Sequence, residues 1–324
     1  MDERMDSLRR ISQYDVQPPK YWSLAHAKAA SIRYILSGEC VVLFGPPGTG
    51  KTRLAKEVIH EIRTKKQAEA EFVQFHPKFG YEDFIEGYKP DGKGGFVLIE
   101  GVFRAFCSKA AKNEEVLHIF VIDEFNRAEL STTLGEVLYL IEDRETRTAK
   151  TAHSGTELRI PPNLVILGTM NTADKTIALV DYALRRRFKF IPVWPDYKVM
   201  RVWLNQKGFK VEGFTVDEYC KAAFVMNRRI TVHPIMNKHM QIGHAMFVPK
   251  SSLVTEAEIS DAFRYTVIPQ LETYCGFGRE DELKNILNSN IVEKIKNGLE
   301  VTNTDIVALV KTLSLDDVAK GTFT

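Results

Sequence analysis

The stretch that decides the fold is "LFGPPGTGKTRLAKE", residues 43–57, which contains the pattern G-x-x-x-x-G-K-T from Gly45 to Thr52. Glycines at this spacing let successive backbone N–H groups converge on an anion, because no Cβ blocks the approach. The apolar run "CVVLFG" before the loop predicts a strand, and the residues after it predict a helix whose N-terminus favours the same anion. We therefore predict a phosphate-binding loop formed by Gly45, Pro46, Pro47, Gly48, Thr49, Gly50, Lys51, Thr52 and Arg53.

A second element, "HIFVIDEFNRA", ends an apolar run with two carboxylates. In a phosphate-loop protein Lys51 reaches the β- and γ-phosphates, and the Thr52 hydroxyl ligates Mg²⁺. Asp123 is predicted to complete the Mg²⁺ site, and Glu124 to polarise the attacking water as a general base. An acidic pair at a strand end is more often structural, but its position after a phosphate loop favours the catalytic interpretation.

The region that contains these motifs, residues 24–195, alternates between helical and strand-like patterns. Such alternation predicts an α/β fold, with a parallel sheet covered by helices on both faces. After "FIPVWPD" (190–196) the patterns become helical with little strand signal. We predict an α/β nucleotide-binding domain over 1–195, including a short N-terminal segment 1–23, and a smaller, mostly helical lid domain over 196–324.

The local patterns predict individual elements. Strands are expected at "CVVLFG", "EFVQFHP", "LHIFVIDE" and "LVILGTMN". In the first domain, helices are expected at "LAHAKAASIRYIL", "TRLAKEVIHEIRTKK", "GVFRAFCSKAAKN" and "STTLGEVLYLIEDRE". The second domain has helical patterns at "VDEYCKAAFVMNRR" and "EISDAFRYTVIPQLETY". "KPDGKGGF" (89–96) is typical of a glycine-rich turn, and "TAKTAHSGTEL" (148–158) of a polar hairpin or loop.

The composition excludes several classes of protein. The 324 residues include 44 basic and 42 acidic side chains, so the near balance argues against a nucleic-acid coat or a membrane-surface protein. No apolar segment approaches the roughly 18–20 residues of a membrane helix, and the charged N-terminus is unlike a secretory signal. Four scattered cysteines without a C-x-x-C pair argue against structural zinc or disulfides. We expect a soluble cytoplasmic protein without membrane contact.

With the phosphate loop, Asp123–Glu124 and a later strand ending in Asn171, the chain resembles the AAA+ ATPase superfamily. More narrowly, it resembles the McrB family, GTP-hydrolysing motors of modification-dependent restriction systems. The phosphate loop and "VIDEFNRAELSTTLGEVLYLIE" are widespread among AAA+ proteins, whereas "MNTAD" together with "FHPKFGYEDFIEG" is more specific. Further matching segments are "GTMNTADKT", "ALRRRF", "IGHAMF" and "VIPQLETY".

The resemblance implies a ring, usually a hexamer, that binds GTP and Mg²⁺ between neighbouring subunits. It also implies an McrC-like nuclease partner that stimulates hydrolysis, and DNA translocation and cleavage in anti-phage defence. McrB-like proteins usually carry an N-terminal DNA-reading domain, whereas 44 residues precede the phosphate loop here. We therefore expect DNA to be contacted through other domains or chains, with little intrinsic specificity for modified DNA in this one.

The segment "NTAD", Asn171 to Asp174, has two competing interpretations. It is similar to the Asn-Lys-x-Asp element that reads guanine in small GTPases, but Thr172 stands where that element has lysine. In AAA+ proteins a polar residue at this strand end contacts the γ-phosphate or the attacking water, so we assign Asn171 that role. Asp174 would support Asn171 or contact a neighbour. A capped strand-to-helix turn is the structural alternative.

The choice of GTP over ATP is therefore implied by resemblance alone. Tyr21 or Trp22, before the phosphate loop, are candidates for contact with the base, although aromatic residues at such spacing are more often part of a core. Many AAA+ lids supply an arginine where this chain reads "QIGHAMF" (241–247). His244 is a candidate for nucleotide contact there, and a structural histidine is the more common alternative.

Three consecutive arginines in "DYALRRRF" end a predicted helix. In the AAA+ pattern such arginines enter the neighbouring subunit's nucleotide site, where a guanidinium is worth roughly 10³–10⁵ in rate. We assign this role to Arg185 and Arg186, whereas Arg187 is equally suited to pairing with a local carboxylate. A solvated basic helix end is the alternative for all three.

Aromatic residues in "HPKFGYEDF" follow the second strand, where AAA+ rings often carry a pore loop. Phe79, Tyr81 and Phe84 either face a central channel or pack the loop onto the sheet, and packing is favoured for any single residue.

Two other functions compete with the McrB-like motor. A MoxR-like AAA+ chaperone would use ATP to remodel proteins, but "MNTAD" and "FHPKFGYEDF" count against it. A nucleotide-dependent ring scaffold would bind with little turnover, but Glu124 and the arginine cluster count against that.

Overall fold

A five-stranded parallel sheet forms the centre of the first part of the chain, in the order β2-β5-β8-β1-β9. A computed structural model describes residues 23–173, 182–276 and 278–316, with the backbone alone at 182 and 183. The strands of this sheet are β1 (Val41–Gly45), β2 (Ala68–Gln74), β5 (Leu117–Asp123), β8 (Leu164–Asn171) and β9 (Lys189–Pro192). The helices around it are α1 (Leu24–Leu36), α2 (Lys51–Lys65), α3 (Tyr81–Phe84), α4 (Val102–Ala111), α5 (Leu130–Leu134), α6 (Val137–Leu140) and α7 (Tyr182–Arg187).

Helices cover both faces of the sheet, as the sequence predicts. Because side chains alternate along a strand, Val41 and Leu43 pack with α1 and α2 on one face, while Val42 packs with α4 on the other. The central strands β5 and β8 are buried on both faces, which explains their continuously apolar sequences.

The strand register brings three polar strand ends to one edge of the sheet. Gly45 of β1 lies beside Asn171 of β8, and Ile122, one residue before Asp123, lies beside Gly168 of the same strand. Parallel strands point their carboxyl ends the same way, so the phosphate loop, the acidic pair and Asn171 meet there. The fifth strand, β9, was not predicted; it is short, lies at the sheet edge and ends at Pro192.

One predicted helix is wrong. "STTLGEVLYLIEDRE" forms two short helices, α5 and α6, separated at Gly135, which has φ +46°. A Cβ at Gly135 would lie 2.9 Å from the Tyr81 ring. The glycine therefore permits both the left-handed backbone and the close approach of the ring.

Two antiparallel hairpins form separate two-stranded sheets in the first part of the chain. The predicted glycine-rich turn connects β3 (Glu86–Pro90) to β4 (Phe96–Glu100), and the polar segment 148–158 forms the hairpin of β6 (Ala149–Lys150) and β7 (Glu157–Leu158).

Tyr81 and Phe84, considered above for a pore, are buried, and Phe79 packs against the same core. Tyr88 and Phe96, in the β3–β4 hairpin that follows, are exposed.

The second part of the chain is mostly helical and has its own apolar core. Its helices are α8 (Tyr197–Gln206), α9 (Val216–Thr231), α10 (Glu256–Ala262), α11 (Ile268–Cys275), α12 (Ser289–Lys296) and α13 (Asn303–Leu315). A two-residue parallel pair joins β10 (Phe209–Lys210) to β11 (Val254–Thr255). The division near residue 195 stays a prediction.

The predicted helix "EISDAFRYTVIPQLETY" continues through a π-helical turn, Phe263–Val267, between α10 and α11. Pro269 lacks an N–H donor, and the wider turn before it accommodates that loss. Within the described ranges, no helix is long and apolar enough to cross a membrane. All four cysteines are buried free thiols.

Candidate nucleotide site

The phosphate loop has the backbone that its glycines predict. Gly48 and Gly50 have φ +74° and +81°, and α2 begins at Lys51. The Lys51 ammonium is nearly buried and donates to the carbonyls of Gly45 and Pro46 at 2.9 and 2.7 Å. This arrangement places a cation and the N-terminus of a helix at one concave turn, which suits a polyphosphate.

The Thr52 hydroxyl and Asp123 carboxylate form a pair of oxygen ligands. Thr52 Oγ1 donates to Asp123 Oδ1 at 2.8 Å, and Thr169 Oγ1 donates to the same carboxylate oxygen. Mg²⁺ is commonly held by one or two carboxylates together with phosphate oxygens, so this donor set fits it. No cluster of three His, Cys, Asp or Glu ligands exists in the described part of the chain.

Glu124 lies beside that pair in an uncommon conformation. Among the described residues other than glycine it alone has a positive φ, +54°. The Asn171 side-chain amide donates to Oε1 and Oε2 of Glu124 at 2.8 and 3.0 Å. A general-base candidate directly after β5 and a polar residue at the end of β8 are thus in direct contact. A non-glycine residue in left-handed geometry is strained, and such strain clusters at functional sites.

The backbone after Asn171 is fixed to the phosphate loop. The Thr172 N–H donates to the Gly45 carbonyl at 3.0 Å, and Asn126 Nδ2 donates to the Asn171 carbonyl at 3.2 Å. These contacts hold the end of β8 at the loop. Asp174 lies outside the described residues.

A turn of the lid that contains Gly243 docks directly on the phosphate loop. The N–H groups of Gly243 and Ala245 donate to the carbonyls of Pro47 and Gly48 at 3.1 and 3.0 Å. A Cβ at Gly243 would lie 2.0 Å from the carbonyl carbon of Gly48. Only glycine fits, so the lid touches the loop through backbone.

His244 is fully buried inside that turn. Its Nδ1 accepts from the Asp196 N–H at 3.2 Å, and its ring centroid lies 5.1 Å from that of Trp203. Burial lowers the pKa of His244 to about 4, so the ring is neutral at physiological pH. With Nδ1 as acceptor, the proton is on Nε2, which has no hydrogen-bond partner among the described residues. Contact between His244 and a nucleotide stays a prediction.

Arg53, on the first turn of α2, is exposed. Its Nε pairs with Glu57 Oε1 at 2.8 Å, and its guanidinium carbon lies over the Trp203 ring, 4.7 Å from the ring centroid. The side chain therefore connects α2 with the lid helix α8. A role for Arg53 in nucleotide binding stays a prediction.

The arginines at the end of α7 differ in their surroundings. Arg186 Nη2 and Arg187 Nη2 each lie 2.9 Å from Glu142 Oε1. Arg187 is nearly buried, which fits the local pairing considered for it, and Arg186 forms the same pair from an exposed position. Arg185 is exposed, and its charge contributes to lowering the pKa of His239, after burial and Lys238.

Several of these residues were not predicted from the sequence. Thr169, Gly243 and Glu142 contact partners at least 44 residues away along the chain, namely Asp123, Pro47 and Arg186. Of these, only Gly243 lies in a segment considered above, "QIGHAMF", where His244 and not the glycine was the candidate. The base-contact candidates Tyr21 and Trp22 lie outside the described residues.

Comparisons with known proteins agree with this geometry. Residues 40–188 match the AAA domain (dynein-related subfamily), and residues 219–284 match the McrB alpha-helical lid domain. The chain is 37% identical over 252 residues to the type IV methyl-directed restriction enzyme EcoKMcrB subunit of Escherichia coli K12, covering 72% of this chain and 53% of that protein. It is 24% identical over 189 residues to the type II restriction enzyme BsuMI component YdiS of Bacillus subtilis 168, covering 46% and 55%.

The chain thus spans about half the length of the curated relatives it matches. The parallel sheet, phosphate loop and strand-end acids define a P-loop NTPase of the AAA+ class. Within that class, the chain belongs to the McrB family.

Proposed function

We propose that this chain is an oligomeric, McrB-like motor that hydrolyses GTP with Mg²⁺ and drives DNA translocation and cleavage by a partner nuclease. The observation that carries the proposal is the convergence of Lys51, Asp123, Glu124 and Asn171 at one edge of the sheet. A triphosphate in the loop would place its γ-phosphate near the general-base candidate. The relatives, named as a restriction enzyme subunit and a restriction enzyme component, support a place in a restriction system.

The residues divide the chemistry among them. Lys51 and the loop N–H groups would bind the β- and γ-phosphates, and Thr52 and Asp123 would hold Mg²⁺, which neutralises phosphate charge. Glu124 would accept a proton from the attacking water. Asn171, already bonded to both oxygens of Glu124, orients that carboxylate.

Hydrolysis is proposed to require a neighbouring subunit. Arg185 and Arg186 are exposed at the end of α7, where they would reach the nucleotide of the next subunit in a ring. By analogy with the family, we propose a ring of six subunits. An isolated subunit would therefore lack part of its catalytic charge and hydrolyse slowly.

The proposed partners follow from the family. Cleavage would belong to a separate McrC-like nuclease subunit, and DNA would be contacted through other domains or chains. The names of the relatives support a role in a restriction system. The proposed preference for guanine rests on the family and not on a contact among the described residues.

The first test is steady-state hydrolysis of GTP and ATP, measured side by side from nanomolar to tens of micromolar protein. Preference for GTP, with specific activity rising as subunits associate, supports the motor with a shared site. Preference for ATP would favour a MoxR-like chaperone. Nucleotide binding without turnover, unaffected by Glu124→Gln, would favour a ring scaffold.

A further inference from the structure

Four charged side chains meet at the end of α7. Glu142, just after α6, forms ion pairs with Arg186 and Arg187, whose Nη2 atoms each lie 2.9 Å from its Oε1. Its other oxygen, Oε2, lies 2.5 Å from Arg147 Nη1. One carboxylate is therefore shared by three guanidinium groups, which leaves a net positive charge on the cluster.

Contacts with Tyr139 hold Arg147 in place within this cluster. Its Nη1 also donates to the Tyr139 carbonyl at 2.9 Å, and its guanidinium lies 4.6 Å from the centroid of the Tyr139 ring. The hydrogen bond from Arg147, followed by the charges of Arg187 and Arg186, lowers the pKa of Glu142. Glu142 therefore stays ionised across the physiological range.

The two arginines on Oε1 are in different environments. The Arg187 side chain is 9% exposed and ties α7 to the body of the domain. The Arg186 side chain is 64% exposed, and a guanidinium has five N–H donors, of which Glu142 engages few. Arg186 is thus held through its contact with Glu142, while much of its side chain is exposed.

We propose that Glu142 is a positioning residue that pre-orients Arg186 for the triphosphate of a neighbouring subunit. This inference rests on the proposed function, because it requires a nucleotide site shared between subunits. An unrestrained arginine loses side-chain entropy when it is fixed. Holding Arg186 in place before the neighbour binds removes part of that cost from the hydrolytic step.

The direct test is Glu142→Gln, which keeps the shape of the side chain and removes its charge. We expect kcat to fall about 10- to 100-fold at saturating protein and nucleotide, because misplacement of a catalytic group has an effect of this order. KM should be unchanged, since the subunit's own phosphate loop is intact. Glu157→Gln is the matched control, because it breaks the exposed pair with Arg159 and should leave kcat unchanged.

A mixing experiment separates positioning from a structural role. Glu142→Gln subunits keep an intact nucleotide site, and Glu124→Gln subunits keep an intact arginine cluster. If Glu142 acts on the neighbour, a mixture should hydrolyse faster than the sum of the two variants alone. Arg186→Ala mixed with Glu124→Gln tests the shared site itself.

The outcomes are distinguishable. Recovery in both mixtures supports the inference. Recovery with Arg186→Ala but not with Glu142→Gln overturns the inference, because Glu142 would then act within its own subunit. A wild-type kcat for Glu142→Gln alone also overturns it. No recovery with Arg186→Ala would refute the shared site in the proposed function, and the inference with it. Melting temperatures and oligomer size identify any variant that fails to fold or assemble.

Discussion

The side-chain amide of Asn171 donates to both carboxylate oxygens of Glu124, at 2.8 Å to Oε1 and 3.0 Å to Oε2. Glu124 directly follows β5 and Asn171 ends the neighbouring strand β8, and the two residues are 47 positions apart in sequence. Because Glu124 has a left-handed backbone, the amide also restrains a side chain at a strained position. The pair couples the general-base candidate to the strand that borders the phosphate loop.

Asn171→Ala should lower kcat by about 10²-fold, comparable with the loss of one preorganised hydrogen-bond donor at a catalytic site. Nucleotide affinity should change little, because the phosphate loop is intact. Glu124→Gln should lower kcat by about 10²- to 10⁴-fold. Steady-state kinetics and equilibrium binding of a fluorescent nucleotide measure the two effects separately.

The double variant decides whether the residues act together. If Asn171 works by orienting Glu124, then adding Asn171→Ala to Glu124→Gln should cause little further loss. Fully multiplicative effects would show that Asn171 acts independently of Glu124, for example directly on a phosphate.

Gly243→Ala should separate the lid from the phosphate loop. The added Cβ would lie 2.0 Å from the Gly48 carbonyl carbon, so the two backbone segments must move apart. We expect a loss of about 1–3 kcal/mol in the free energy of unfolding, together with weaker nucleotide binding. Thermal melts with and without nucleotide measure both.

Gly80→Ala provides the control for that variant. Gly80 has φ −129°, and the nearest atom to an added Cβ is a carboxylate oxygen of Glu82 at 3.1 Å, at the end of a flexible side chain. Equal effects of the two substitutions on nucleotide binding would argue against a specific lid contact.

Much of the fold was predictable because its signals are local. Continuous apolar runs identified β1, β5 and β8, and the glycine pattern identified the loop after β1. The break at Gly135 was not predictable, because it depends on the Tyr81 ring from a distant segment. The edge strand β9 was missed because four residues ending in proline carry little strand signal.

The site was predictable where function requires a motif, and not where it depends on packing. Lys51, Thr52 and Asp123 belong to sequence patterns with known chemistry. The attachment of Arg186 to Glu142, and of Gly243 to the phosphate loop, depends on tertiary contacts that spacing does not reveal. Phe96 was assigned only to the glycine-rich turn 89–96, and Tyr88 was left unassigned. An exposed hairpin shows the same alternation of apolar and polar residues as a half-buried one, so the pattern does not reveal exposure.

The buried His244 should make stability depend on pH. Its pKa is about 4 in the folded protein because of burial, and about 6.5 in the unfolded chain. The unfolded state therefore binds more protons between these values. The stability that depends on a neutral His244 is therefore fully present above pH 6.5 and is lost as the pH falls through 4. The loss in the free energy of unfolding amounts to at most about 3 kcal/mol.

Comparison of wild type with His244→Gln isolates this group from the carboxylates that titrate in the same range. Chemical denaturation between pH 4 and 7 should give a shallower pH dependence for His244→Gln. His60→Gln, at an exposed position of α2, should retain the wild-type slope. An unchanged slope for His244→Gln would contradict a neutral, buried ring.

The ion pair between Arg104 and Glu86 should be important for stability. Glu86 is fully buried and accepts from the N–H groups of His153 and Ser154 at 3.1 and 2.7 Å. Burial alone would raise its pKa, but the bonds from Ser154 and Thr151 and the charge of Arg104 lower it to about 2. The ionised form is thus stabilised in place.

Arg104→Met removes the cation and leaves a buried carboxylate, which should cost about 3 kcal/mol in the free energy of unfolding. Arg159→Met breaks an exposed pair with Glu157 and should cost less than about 0.5 kcal/mol. Urea denaturation at pH 7 measures both. Similar costs for the two variants would mean that hydrogen bonds alone hold Glu86.

The aromatic residues around the β3–β4 hairpin should separate into a structural and a surface group. Phe84 is fully buried and stacks on Phe103 with ring centroids 4.7 Å apart, whereas Phe96 is 73% exposed. Phe84→Ala should cost about 3–5 kcal/mol because it leaves a cavity, and Phe96→Ala should change stability by less than about 0.5 kcal/mol. Equilibrium unfolding checks both values. A small cost at Phe84 would favour the pore interpretation over packing, and a large cost at Phe96 would mean that the hairpin is covered in solution.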